Sequence, residues 1–416
     1  RLLEAQHLTA PAQRKARLEE LAATLRTPLL RYLQKARGSD LPAPRYLEAQ
    51  IAFAEGRIED ALALLQTVGA TQPWFYEAPH LLGALHQARA WERWNRGDRP
   101  GALADFQAAR EALGKAATVA RSAAGLRAAQ ADLEFNVMLM EKYSQGTDTQ
   151  AFTRGMAAVA SALALHPDHV PTLVAKAALL GQEADLRSRK GEDAVPLAAE
   201  ALATADRAVA AEPYRADARR ALGFACYDLG DALAARDRDP GEVLLRGIRA
   251  FASLSEAKRD GRVWLHLGLI HQTQADYDTS RGREALPELN GAIEAFRHAV
   301  RMDAQAIPPR INLGTCLYQR SRLPGATTPD EDLRAARQVL EEARALNPQH
   351  FVPPFVLGKV HHALGMQARA RGEDARPQFR ASEEASRQGL AINPSVPTLH
   401  LQLSLALQES AQEAWD

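Results

Sequence analysis

Twelve histidines and two cysteines are the residues of this 416-residue chain best suited to metal binding or acid–base work. His86, Cys226, His271 and His361 are the most suggestive, because each lies three residues after a marker glycine: Gly83, Gly223, Gly268 and Gly358. A shared coordination sphere would need the four within a few ångströms of one another. Equivalent positions of successive repeats instead stand about one helix-packing distance apart, ~10 Å or more, so the pattern points to packing between helices. His361 and His362 are neighbours, which on a helix directs their side chains about 100° apart. His166 and His169 straddle Pro167 in a turn, and Cys226 and Cys316 lie two repeats apart, too distant to bridge. Both cysteines read as buried small apolar side chains. No phosphate loop, nucleophile elbow, H-E-x-x-H pair or kinase catalytic loop occurs, and acidic neighbours such as Glu341-Glu342 and Glu383-Glu384 read as solvated helix faces. The expectation is a segment with no enzymatic activity, no cofactor and no metal.

Fifty-one Lys and Arg balance fifty-one Asp and Glu, so the formal charge is zero. That removes the electrostatic case for nucleic acid or an anionic membrane surface. A charged fraction of 25% and a hydrophobic fraction of 46% suit a folded globular chain. The longest nearly apolar stretch, Met156 to Leu165, is too short to cross a bilayer. The scarcity of cysteine fits a reducing compartment, and the cytoplasm is expected, with attachment to a membrane-anchored protein left open. Because the chain begins at Arg1, it is expected to be a piece of something longer.

The elements that hold these residues are helices. Ala, Leu and Arg are frequent, aromatics make up 6%, and no segment alternates in the strand manner. From Asp330 to Asn347, Leu333, Ala336, Val339, Leu340, Ala343 and Leu346 follow the spacing of an amphipathic helix. A small residue then recurs after a fixed partner ten residues upstream: Pro73 before Gly83, Pro167 before Ala177, Pro213 before Gly223, Lys258 before Gly268, Ala304 before Gly314, Pro348 before Gly358 and Pro394 before Ser404. From Ala177 onward the markers are 46, 45, 46, 44 and 46 residues apart.

These are the landmarks of tetratricopeptide repeats, a Trp-x-x-Leu-Gly element followed by Ala-x-x-x-Phe and a closing Pro. Trp264, Leu267 and Gly268 fit the first element, and Ala292 with Phe296 the second. The first repeat, Pro42 to Pro73, has the ordinary length. Later repeats carry extra residues between helix A and helix B, with turn-forming segments at Lys190 to Asp193, Asp237 to Gly241, Ser280 to Arg283, Pro324 to Asp330 and Gly372 to Asp374. These loops are expected to form a charged ridge along one edge. The fold expected is all-α: a right-handed α-solenoid of antiparallel helix pairs in elongated ~45-residue repeats. Residues 1–41 would form an N-terminal capping helix and linker, with a helix from Ala12 to Arg37, Thr9 as its N-cap and Gly38 as its stop. Residues 42–394 would form about eight pairs, and 395–416 a final helix.

In this architecture the A helices line the inner, concave surface, and positions one and four after the marker face a partner. Phe53, Gln87, Phe135, Phe224, Tyr227, Gln272, Thr315, Tyr318, Lys359 and His362 occupy them, with Asp228 and Gln319 alongside. Aromatic, amide and hydroxyl groups in this mixture suit an extended peptide or a partner helix. The marker glycines Gly83, Gly223, Gly268, Gly314 and Gly358 are expected to let helices approach closely. The Lys/Asn/Arg clamp by which related chaperone adaptors hold a terminal carboxylate is not reproduced. Leu399, Leu401, Leu403, Leu405 and Leu407 in the last helix exceed what one buried face requires, which keeps self-association as an alternative.

The segments Tyr46 to Gly56 (YLEAQIAFAEG), Pro73 to Pro79 (PWFYEAP), Ala275 to Tyr277, Ile311 to Thr315 and Gly389 to Pro394 taken together resemble the tetratricopeptide regions that follow the catalytic domain in a group of bacterial serine/threonine protein kinases. The resemblance runs from about residue 28 to 400. It implies a regulatory or substrate-recruiting arm of a signalling kinase, with the catalytic domain elsewhere in the longer protein. The chain, purified by itself, is expected to turn over no ATP and to retain no stoichiometric zinc. ATP turnover abolished by a point substitution within these 416 residues, or one zinc per chain by elemental analysis, would overturn this expectation.

Overall fold

Helix-forming sequence translates directly into structure between Pro329 and Leu346. Leu333, Ala336, Val339, Leu340 and Ala343 are buried along one face, and Asp330, Glu331 and Asp332 stand in the first turn, where acidic groups complement the helix dipole. A computed structural model describes residues 27–36, 43–142 and 150–415, with Glu20 and Ala23. Among the described residues eighteen α-helices occur and no strand. They are α1 (Thr27–Ala36), α2 (Ala43–Ala54), α3 (Ile58–Thr71), α4 (Glu77–Asn95), α5 (Arg99–Val119), α6 (Ala124–Lys142), α7 (Ala151–Leu165), α8 (Val170–Arg189) and α9 (Val195–Ala211). They continue as α10 (Ala216–Ala234), α11 (Gly241–Ala252), α12 (Gly261–Ser280), α13 (Leu286–Met302), α14 (Pro308–Ser321), α15 (Pro329–Leu346), α16 (Val352–Ala370), α17 (Arg376–Ile392) and α18 (Pro397–Trp415). The Thr9 cap, the Gly38 stop and most of the helix expected from Ala12 lie outside the described residues.

From α2 onward the even-numbered helices are A helices and the odd-numbered ones B, and α2–α3, α4–α5, α6–α7, α8–α9, α12–α13, α14–α15 and α16–α17 pack as antiparallel pairs, as the repeat spacing requires. Proline punctuates the array. Helices α3, α9, α15 and α17 end one residue before the residue that precedes Pro73, Pro213, Pro348 and Pro394, and proline has no N–H with which to continue them. At the other end of the pairs whose A–B turn is described, that turn is closed by one left-handed residue: Gly56, Gly97, Gly191, Gly282, Gly325 and Gly372. In the fifth pair Asp237 takes that place at φ 59°. Around Asp237 the closure is a Schellman motif, with Asp237 N–H donating to the Ala234 carbonyl and Arg238 N–H to that of Leu233, both at 2.9 Å.

At the markers, what approaches helix A is a side chain of its own helix B. A methyl group added at Gly223 would overlap the ring of Phe251, and one at Gly268 the ring of Phe296. Gly83 seats Leu113 and Gly314 seats Leu340 in the same manner. The eighth pair departs from this. Phe379 rests on Gly365, two turns beyond the marker, and the marker Gly358 faces Ser386 together with Gln402 of α18. There Ser382 Oγ donates to the Gly358 carbonyl at 2.8 Å, and both amide atoms of buried Gln402 lack a hydrogen-bond partner.

Contacts divide the helices into two compact units. One holds the described residues up to Arg238 together with Arg249–Lys258, the other Asp239–Ile248 and everything from Arg259. Core residues of the first include Phe106, Leu113, Leu133, Met140 and Leu179. Those of the second include Leu289, Ile293, Phe296, Leu317, Leu340 and Val360. Gly268→Leu would drive a branched side chain into Phe296 and is expected to cost about 1–3 kcal/mol by overpacking. Urea unfolding checks this, and a variant that unfolds at the parent's midpoint would show that the seat is not close-packed.

Candidate functional site

A helix advances about 100° per residue, so positions −3, +1, +4 and +8 from a marker fall within a ~60° stripe that flanks the B-helix seat. In the first unit this stripe is mostly committed to packing. Phe53 of α2 packs partly buried on the cluster around Ala49 and Leu65, and Phe135 of α6 on that around Phe106 and Leu133. Phe224 of α10 tilts onto Phe251 at 5.4 Å between ring centroids. Gln87 of α4 accepts a 3.0 Å hydrogen bond from Asn136 Nδ2 of α6. Tyr227 and Asp228 of α10 face α8 across a cavity of about 10 Å³, lined also by Asp185, Ser188 and Asp231. The Asp228 carboxylate covers Gly181, where any side chain would collide with it.

The second unit presents a different stripe. Gln272 of α12, Thr315, Tyr318 and Gln319 of α14, and Lys359 and His362 of α16 are all half-buried. Thr315 Oγ1 donates to the Ile311 carbonyl at 2.9 Å, and Gln319 Nε2 donates to Asp276 at 2.7 Å. Gln272 Oε1, Gln319 Oε1 and His362 Nε2 are buried polar atoms without a hydrogen-bond partner. Lys359 Nζ stands 4.2 Å over the Phe355 ring, and Arg322 donates to the Tyr318 hydroxyl at 2.8 Å. Burial, with the Arg322 charge second, pushes the Lys359 amine below its usual value. Burial also lowers His362, opposed by Glu409 and reinforced by Arg322 and Arg369. Arg322, Phe355, Asp185 and Asp231 are absent from the sequence-based expectation. The same stripe carried one turn further in each direction, to −3 and +8, reaches all four.

The histidines three residues after the marker join each A helix to its own B helix. His86 Nδ1 lies 3.0 Å from Asp105 Oδ1, His271 Nδ1 donates to Glu288 at 2.6 Å, and His361 Nδ1 donates to the Gln378 amide oxygen at 3.0 Å. Cys226, at the same position, is buried, as is Cys316, whose thiol burial drives far up with Asp276 adding to it. The rings of His166 and His169 meet edge-on at 5.8 Å. Among the described residues no three His, Cys, Asp or Glu side chains are grouped to hold a metal ion. Burial would raise the Asp105 carboxyl, but hydrogen bonds from Arg89 and His86 and the charges of Arg89 and Arg93 more than offset it and hold the group below the usual carboxylate range.

Burial lowers His361, against the Gln378 hydrogen bond, and it lowers His80 and His350 as well. For a group whose folded value is depressed, stability is full above the unfolded value and is lost as pH falls. The loss therefore begins near pH 6.5 for these histidines and continues below about pH 4 through Asp105. Equilibrium unfolding is expected to show lower stability at about pH 5.5 than at about pH 7.5, with His361→Gln narrowing the gap. An unchanged gap in His361→Gln would show that this imidazole titrates alike in both states.

No family model matches the chain, and no curated protein sequence matches it. Among solved structures, the human IFIT1 dimer with m7Gppp-AAAA aligns with 92% of this chain and 80% of its own at 12% identity and a TM-score of 0.44. PilF of Pseudomonas aeruginosa aligns with 68% of this chain and 99% of its own at 12% identity and a TM-score of 0.39. YrrB, described as a TPR protein with an unusual peptide-binding site, aligns with 59% and 97% at 14% identity and a TM-score of 0.33. At these identities and TM-scores no property of those proteins carries over to this chain.

Proposed function

We propose that the chain is a protein-interaction scaffold whose A helices hold a segment of a partner protein. One observation carries this reading. The stripe on α12, α14 and α16 combines the half-buried Tyr318 and Phe355 rings with the half-buried polar side chains of Gln272, Thr315, Lys359 and His362. Rings partly open to solvent bury further apolar area against an extended peptide, and the polar groups beside them suit its backbone. In the first unit, Tyr227 and Asp228 beside their small cavity offer a second, acidic contact point. The zero net charge supports a protein ligand over nucleic acid, and no described helix is long and apolar enough to cross a membrane. The sequence resemblance supports a place as the non-catalytic, substrate-recruiting arm of a bacterial serine/threonine protein kinase, working in the cytoplasm without a cofactor.

A second reading, self-association, is favoured by α18, which buries Gln402 while exposing Leu401 at 63% and also Leu405 and Leu407. Sedimentation of Leu401→Glu/Leu405→Glu beside the parent decides it: a parent heavier than the variant supports assembly, and two monomers exclude it. For the main reading, proteins captured from cell lysate by the parent should be lost from Tyr227→Ala/Tyr318→Ala, since truncating an anchoring aromatic typically costs more than ~1 kcal/mol. Capture that survives the double variant but disappears when the Gly372 to Arg376 loop is altered would place the contact on the A–B loops instead.

A further inference from the structure

Helix α18 occupies the place of an A helix, yet its marker face is open. In α10, α12 and α14 the markers Gly223, Gly268 and Gly314 are buried beneath Phe251, Phe296 and Leu340 of the following helix. Ser404 takes the marker position of α18 and is exposed. So is the whole side of α18 opposite buried Leu399, Gln402 and Ala406, with Leu401 at 63% and Leu407 at 41% on either side of Ser404. This side also lacks charge. From Pro397 to Gln412, about 24 Å of helix, no exposed residue is an acid, a lysine or an arginine. Glu409, the one charged residue in that span, is half-buried and paired with Arg369 at 2.6 Å. The solvent faces of the two preceding B helices differ sharply: α15 exposes Glu331, Arg334 and Glu341, and α17 exposes Arg376, Arg380 and Glu384. An uncharged helix side carrying exposed leucines marks contact with another helix rather than with water.

We propose that this side of α18 pairs with α18 of a second copy of the chain, antiparallel, about a two-fold axis at Ser404. The proposal rests on the self-association reading above and gives it a surface and a direction. A two-fold contact sets one patch against itself, so any unpaired charge in the patch would meet its like. The open side of α18 has none. An axis at Ser404 brings Leu401 of each copy level with Leu407 of the other, His400 with Gln408, and Pro397 with Ala411. Apolar residues thus meet apolar ones, and polar meet polar. His400 is already fixed, its Nε2 donating to the Pro394 carbonyl at 2.9 Å. Ser404 and Ala411, two turns apart on the centre line, are small enough to let the helix axes approach closely. The antiparallel direction is that of the A–B pairs, and it sets each helix N-terminus beside the C-terminus of its neighbour. A helix of an unrelated protein would be selected by complementary charge, and this face offers none to read. One helix pair is a small interface, so the association belongs to the weak, concentration-dependent class.

The test uses the whole 416-residue chain. Sedimentation equilibrium from about 1 to about 100 μM should show the parent passing from one chain to two. Leu401→Glu/Leu407→Glu is expected to weaken association at least about tenfold, because like charges then face each other. Its thermal melt in dilute solution should match the parent, since both leucines are exposed. Mild oxidation should link Ser404→Cys into a covalent dimer and leave Gln412→Cys unlinked. An axis at Ser404 sets the two 412 positions about 24 Å apart, far beyond the reach of a disulfide. The native Cys226 and Cys316 are buried and take no part. A parent that stays monomeric throughout overturns both the proposal and the self-association reading, and leaves α18 to a helix of another protein. A dimer that survives Leu401→Glu/Leu407→Glu overturns the proposal alone, since the copies then meet elsewhere. Equal linking at 404 and 412 means parallel helices and overturns the antiparallel arrangement.

Discussion

The seating of a helix-B side chain on a helix-A glycine is the contact on which the rest of the structure depends. Phe251 on Gly223, Phe296 on Gly268 and Leu340 on Gly314 set both the distance between paired helices and their rotation about their own axes. Once that rotation is fixed, every other position of helix A has an assigned direction. Position +3 meets the start of helix B, which is why His271 finds Glu288 and His361 finds Gln378. The stripe from −3 to +8 lies beside the seat, so Phe224 at +1 still tilts onto Phe251 and His362 at +4 onto Phe379 of its own B helix.

The eighth pair shows how much the seat governs. With Phe379 moved to Gly365, the marker Gly358 is left without an apolar knob, and polar groups fill the space: Ser382, Ser386 and Gln402. The serines satisfy themselves on backbone carbonyls, Ser382 on Gly358 and Ser386 on Ser382, each at 2.8 Å. Gln402 does not. Its amide is enclosed by α16 and α17 with neither atom bonded, so the terminal helix is held by Leu399 on Gly389 and by the Arg369–Glu409 pair more than by its centre.

Much of this was legible in the sequence because it depends on local signals. The marker glycines, the prolines after helix B and the turn residues between A and B each act within a few residues, and together they place the paired helices. What escaped depends on facts that spacing alone does not contain. Arg322 and Phe355 sit on the same stripe as Tyr318 and Lys359, but whether a cation there is neutralised is decided by acids from other helices. The division into two units falls inside α11, where Lys258 stands in place of the usual proline and Ser253 to Ser255 follow the helix. Nothing in the composition marks that position, since the partition reflects how densely helices touch. Asp237 is legible in hindsight as the one turn among the described residues that asks a left-handed conformation of a residue with a side chain.

The orphaned amide of Gln402 gives the second unit a mechanical polarity. Detaching α18 exposes both amide atoms to water, which returns about 1–3 kcal/mol per group that the enclosed state forfeits. Detaching a helix seated by a phenylalanine on glycine returns nothing comparable and forfeits close-packed area. The α17–α18 interface is therefore the joint of this unit that opens at the lowest cost, resisted by Leu399 on Gly389 and by the Arg369–Glu409 pair, whereas Phe379 on Gly365 keeps α16 and α17 together when it does.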